Sequence, residues 1–226
     1  DPRLQKLARA TTRILQKAGV DFGIAGDAET SSGGRAYQMG YKQDFLGQAG
    51  KNMALVKEAG AKTVVTASAD AYHAFKVLYD KSNLKGSLKV LHISEYIDRL
   101  FKEARLKLRG KVDLAVTYHD PCHLGRLGEP WIHWQGKKVP GDRFVFDPPR
   151  PYRRGTKGGL EPPRQGLAKL PGVSPSPVGR IKGEAWVGGS GGGGPRPQPP
   201  LRRGAAPGTG GRGAPPAAPQ ETKPPA

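Results

Sequence analysis

Two short strings constrain this chain more than any other feature. "QKAGVDFGI" and "KEAGAKTVV" stand about forty residues apart and use the same device: a helix end, Ala-Gly, then an apolar run. Before the first, Leu4, Leu7, Ala8, Thr11, Leu15 and Ala18 recur on one helical face. Gly19 then stops the helix, and Val20 to Ala25 reads as a short strand. A second helix from about Gly34 carries Tyr37, Tyr41, Phe45, Ala49, Met53 and Val56, ends at Gly60, and leads into a buried strand from Thr63 to Ala67. A third helix carries Tyr72, Phe75 and Tyr79, and Lys89 to Ile93 is the next strand. Ile97, Leu100, Phe101 and Ala104 mark another helix, and Asp113 to Tyr118 another strand. Strands alternating with helices predict an α/β fold, a mostly parallel sheet with helices on both faces. Such sheets place their working loops at the carboxyl ends of the strands. Here those loops are 26–34, 67–72 and 119–126.

The alternation stops before the C-terminus. The chain has 33 glycines and 22 prolines among 226 residues, and they crowd toward that end. Three parts are expected. Residues 1–128 form the α/β domain, and 129–187 a Trp/Pro-rich insertion whose pattern degrades. Residues 188–226 form an irregular Gly/Pro/Arg tail without apolar periodicity, and so a disordered one. The first residue is Asp1 and not Met, which points to a processed protein or a fragment. No apolar run reaches the roughly 18 residues of a membrane-spanning helix.

The net charge of +18 permits phosphate binding. The basic residues are spread along the chain, however, and no nucleic-acid-binding signature occurs. A specific nucleic-acid partner is therefore not expected, and a basic nucleic-acid-binding protein is the weakest functional reading.

The three loops differ in chemistry. The first contains Ser31-Ser32-Gly33-Gly34, which suits a turn and helix cap or an anion cradle. In the second, Ser68 or Asp70 caps the next helix. The third reads Tyr118-His119-Asp120-Pro121-Cys122-His123-Leu124-Gly125-Arg126 and holds the chain's one cysteine. A thiol flanked by His119 and His123 is a candidate nucleophile, redox group or metal ligand, with its pKa expected to be lowered. His119, Cys122 and His123 make a zinc site only if Asp120 turns toward them. Trp131, His133 and Trp134 serve either as a partner-docking surface or as anchors for the insertion.

"TYHDPCHLGR" resembles the cysteine-rich (CCG) domain of heterodisulfide reductase subunits and related iron–sulfur oxidoreductases. "GGRAYQMGY", "ADAYHAFKVLYDK" and "GEPWIHWQGKKVPGDRFVFDPPRPYRRGT" resemble the DsrK (HmeD-type) subunits of the sulfite-reduction-associated membrane redox complex. The likeness extends to about Gly193, is strong to Thr156 and weakens beyond it. It implies a non-cubane [4Fe–4S] cluster that reduces a disulfide or trisulfide on a small carrier protein. It also implies membrane redox-complex subunits as partners and a cytoplasmic, membrane-peripheral location. Cys122, His119 and His123 are then catalytic candidates, Gly33 and Asp120 cofactor-binding, and Cys122 the metal ligand. The family's other ligand positions fall on Ser31, Ser32, Ser68, Ala71, Val187 and Gly188. Thiolates hold such clusters, and one cysteine does not hold four irons. The resemblance therefore implies a cluster family and a member without its cluster, with a non-catalytic docking module as the alternative.

Overall fold

The computed structural model describes residues 2–151 and 155–176. In chain order the elements are α1 (Pro2–Lys17), a 3₁₀ turn (Gly26–Ala28), α2 (Gly34–Gln38), α3 (Lys42–Glu58) and β1 (Thr63–Thr66). Then come α4 (Ala69–His73), a π turn (Ala74–Leu78), α5 (Tyr79–Lys81), β2 (Lys89–His92), α6 (Ile93–Lys102) and β3 (Leu114–Thr117). β4 (Lys137–Lys138), β5 (Phe146–Asp147), α7 (Glu161–Ala168) and β6 (Val173–Ser176) complete the described part.

The fold is mixed α/β with parallel strand pairing. β1 pairs with β2 in parallel, Val64 opposite Val90, and β3 with β6, Leu114 opposite Val173. β4 and β5 form a small antiparallel pair. The described strands thus form three two-stranded ladders and not one continuous sheet. Val20 to Ala25 is irregular, contrary to the expected strand. The amide of Val20 closes α1 by donating to Leu15 O at 3.0 Å, and Arg105 takes the carbonyls of Ala18 and Gly19. The long second helix is interrupted between α2 and α3, where Gly40 adopts φ +91° and Tyr41 precedes the new helix.

Two core clusters carry the loops of interest. Phe45, Ala49, Ala74, Leu78 and Tyr79 join α3 to the π turn and α5. Tyr72, Leu88, Val90 and Leu124 join α4, β2 and the third loop. The third cluster, Leu15, Ala18 and Leu100, seats α1 on α6. The first helical stretch of the expected Trp/Pro-rich part is also ordered. α7 opens with Pro162 and Pro163 in its first turn, where backbone amides have no helical partner to lose. β6 follows and pairs with β3, with Pro175 opposite Val116. Residues 188–226, expected to be a disordered tail, lie outside the described residues, as do Val187 and Gly188.

Candidate functional site

The three loops marked in the sequence meet around the start of α4. Gly33, at φ +71°, turns the first loop into α2. A Cβ on Gly33 would lie 3.2 Å from the ring and the carbonyl of Phe45 and from Gln48 Cβ, so only glycine fits without a shift. A Cβ on Gly34 would lie 3.2 Å from Ala74 Cβ, which places the start of α2 against the π turn that follows α4. Arg35 Nη2 reaches Asp70 Oδ2 at 3.5 Å. From the third loop, His123 Nδ1 contacts Asp70 Oδ1, and its Nε2 lies 2.7 Å from Gln38 Nε2. The His123 ring stacks on His73 at 5.1 Å between centroids. Asp70, His123, Gln38 and His73 therefore tie all three loops together. Sequence reading singled out His123, and Asp70 as a possible cap. Gln38 and His73 carry no local signal that would have found them.

Each serine hydroxyl at an expected ligand position is used locally. Ser31 Oγ accepts from Gly33 N at 3.2 Å, and Ser32 Oγ from Gly34 N at 3.4 Å. Ser68 Oγ caps α4 by accepting from Ala71 N at 3.3 Å. The carbonyls of the same loop are held from beneath. Asn52, buried on α3, donates to Ser31 O at 2.9 Å and accepts from Thr30 Oγ1 at 3.1 Å. Tyr79 Oη donates to Ser32 O at 3.0 Å. Burial raises the Tyr79 phenol to about 12, against a lowering contribution from Asn52, so it remains a donor at neutral pH.

The third loop is anchored differently. Asp120 is buried and accepts two 2.6 Å bonds from the Arg164 guanidinium on α7. Arg164 also donates to Leu160 O and stacks over Tyr118. The Tyr118 phenol is pushed up to about 12 by burial and by the Asp120 carboxylate. The carboxylate expected to bind a cofactor is thus held in an internal ion pair with Arg164. Cys122 is a free, half-buried thiol. His119 is exposed and takes no part in the bonds joining the loops. Among the described residues no three His, Cys, Asp or Glu side chains are grouped to hold a metal ion.

Of the two readings of the Trp segment, the contacts favour anchoring. Trp134 Nε1 donates to Pro148 O at 3.0 Å and packs edge-on to Phe146. Lys81 of α5 lies over the Trp131 ring, and His133 Nε2 is 3.6 Å from Asp80.

Residues 1–76 match the family model described as a cysteine-rich domain, CCG. This chain carries a CCG domain. Its relatives include one of the subunits of the dihydromethanophenazine:CoB–CoM heterodisulfide reductase of Methanosarcina acetivorans, 35% identical over 167 residues. That match covers 69% of this chain and 40% of the relative. A Bacillus subtilis relative named "Probable iron-sulfur-binding oxidoreductase FadF" is 31% identical over 70% of this chain and 20% of its own length. The EtfAB:quinone oxidoreductase of Syntrophomonas wolfei is 31% identical over 56% of this chain and 17% of its own. The CCG chain thus spans less than half the length of these relatives. No solved structure matches it. The CCG family and the heterodisulfide reductase likeness expected from sequence are confirmed. Among the described residues no helix is long and apolar enough to cross a membrane.

The donor set of this CCG domain does not fit a four-iron cluster. Of the five expected ligand positions that are described, one is the thiol of Cys122 and the others are three hydroxyls and a methyl group, Ser31, Ser32, Ser68 and Ala71. The hydroxyls already accept backbone hydrogen bonds, and soft thiolates, not hydroxyls, hold iron–sulfur clusters.

Proposed function

We propose that this chain belongs to the part of a heterodisulfide-reductase-like iron–sulfur oxidoreductase that delivers electrons to a disulfide or trisulfide, and that as written it holds no [4Fe–4S] cluster. One observation carries the reading. The loops bearing the expected ligand positions converge on Asp70, yet apart from Cys122 hydroxyls and a methyl group occupy the described ones. Within this reading, Cys122 is the remaining thiol at the site and His123 the side chain that fixes its loop. The partners are the other subunits of a membrane redox complex and a small disulfide or trisulfide carrier in sulfur metabolism. The location is cytoplasmic, at the membrane through that complex. The strings after Pro130 support the sulfite-reduction-associated DsrK type within the family.

A non-catalytic docking module is the second reading. It is favoured by the same serine bonds, which hold the loops in place with ordinary turn and cap interactions.

Anaerobic reconstitution with iron and sulfide separates the readings. The chain as written takes up no stoichiometric iron and acid-labile sulfide. A variant carrying Ser31→Cys, Ser32→Cys, Ser68→Cys, Ala71→Cys, Val187→Cys and Gly188→Cys gains cluster absorbance and a paramagnetic signal on reduction or oxidation. Thiol–disulfide turnover by that variant supports the oxidoreductase; recovery of partner binding alone supports the docking module. Stoichiometric cluster in the unaltered chain refutes the proposal.

A further inference from the structure

Part of the charge that looks diffuse in the sequence is gathered on one face of one helix. α1 carries Arg3, Lys6, Arg9, Arg13 and Lys17 and no acidic residue. At 3.6 residues per turn these five lie within an arc of about 120° and extend along about 21 Å of helix axis. All five are exposed, whereas Leu15 and Ala18 on the other side are buried against Leu100. Among the described residues Lys6, Arg9, Arg13 and Lys17 make no ion pair. The two other described helices of ten or more residues mix signs: Asp44 and Glu58 stand on α3, Glu95 and Asp98 on α6.

The stripe continues past the helix end. Arg105 Nε donates to Ala18 O at 3.0 Å and Nη2 to Gly19 O at 2.8 Å, which seats residues 104–109 beside Lys17. Lys17, Arg105, Lys107 and Arg109 line one side-chain cleft there, alternating with Leu106 and Leu108. Basic groups and short aliphatic surface therefore lie side by side.

We infer that the basic face of α1, extended by residues 104–109, docks an acidic protein partner that presents a row of carboxylates about 20 Å long. Charge complementarity selects the occupant. A second copy of this chain would bring another +18 and an equally acid-free α1. A lipid surface would need the apolar side of α1, whose C-terminal half is packed on α6. A single-stranded nucleic acid would need aromatic platforms, and the stripe and cleft contain none. The surface stands on a different core cluster from the three loops, so the inference does not depend on the redox reading.

The test uses the full chain and a glutamate homopeptide of about 20 residues at low salt, where exposed charges are least screened. Zero-length carbodiimide cross-links between carboxylates and lysines are mapped by mass spectrometry. Lys6, Lys17 and Lys107 are expected to react at least about fivefold more than the exposed Lys51 and Lys57 of α3, because local potential concentrates the peptide there. Arg9→Glu with Arg13→Glu weakens binding about tenfold or more, while Lys51→Glu with Lys57→Glu changes it less than about twofold. Circular dichroism of both variants checks that they fold. Cross-links spread evenly over the lysines, or equal losses in the two folded variants, overturn the inference. Tighter binding to phosphatidylserine vesicles or to duplex DNA than to the peptide, abolished by the same α1 reversal, also overturns it and assigns the face to lipid or nucleic acid.

Discussion

Replacing Arg164 by methionine isolates what holds the third loop against α7. The guanidinium side chain is 23% exposed, and the Asp120 carboxylate it grips with two 2.6 Å bonds is 4% exposed. Removing the cation takes the Arg164 charge away from a buried carboxylate, and breaking a well-buried pair in this way costs about 3–5 kcal/mol. Arg164 retains some solvent, so the lower figure applies, about 3 kcal/mol. Domains have only about 5–15 kcal/mol in total. With a urea slope of about 2 kcal/mol/M, the unfolding midpoint of Arg164→Met falls by about 1.5 M. The double variant Asp120→Asn/Arg164→Met also removes the buried negative charge and recovers at least about 1 kcal/mol of the loss. Urea unfolding followed by tryptophan fluorescence gives all corners of the cycle. A loss below about 1 kcal/mol for Arg164→Met, or a double variant as unstable as the sum of the singles, would show that the pair does not anchor the loop.

Two further outcomes are expected. Gly33→Ala combines the left-handed backbone penalty of about 1–2 kcal/mol with contacts at 3.2 Å, whereas Gly60→Ala, at φ +62° with nothing within 4 Å, incurs only the first; thermal melts should separate them by about 1 kcal/mol, and equal losses would refute the packing argument. Burial pushes the Asp98 carboxyl up, but hydrogen bonds and charge from Lys102 and Lys169 outweigh it and hold its pKa below the usual carboxylate value. A depressed carboxylate contributes stability above its unfolded pKa of about 4 and loses it as pH falls through the lower folded value. Asp98→Asn should therefore destabilise the fold at neutral pH and flatten the fall in stability below about pH 4; a pH–stability curve parallel to the parent's would refute the assignment.

The legible part of the fold is the part with local period. β1, β2 and β3 begin and end within a residue or two of the apolar runs that marked them, and Ala-Gly ends the helix before β1. Of the expected loops 26–34, 67–72 and 119–126, the first holds a 3₁₀ turn and passes into α2 at Gly34, the second is cut short because α4 begins at Ala69, and the third is non-helical throughout. What local pattern could not show is long-range pairing. Nothing in the residues 161–176 announces that Arg164 will meet Asp120, forty-four positions earlier, or that Val173 will align with Leu114. The Val20–Ala25 run had strand composition but no partner edge, and composition alone does not make a ladder. In the candidate site, the short stretches named their own serines, histidines and cysteine. Asn52 and Tyr79, which hold the first loop by its carbonyls, read as one polar and one apolar position on helices.

The serine bonds within those loops have a consequence for the life history of the protein. In many small metalloproteins the ion's binding energy is part of the folding energy, so the apo chain is not folded. Here the turn at Gly33 and the start of α4 are closed by hydroxyl and amide groups already in the chain. Bonds of this kind form from groups within the chain, so the turn at Gly33 and the start of α4 are expected to keep their shape when the protein is made in iron-depleted medium.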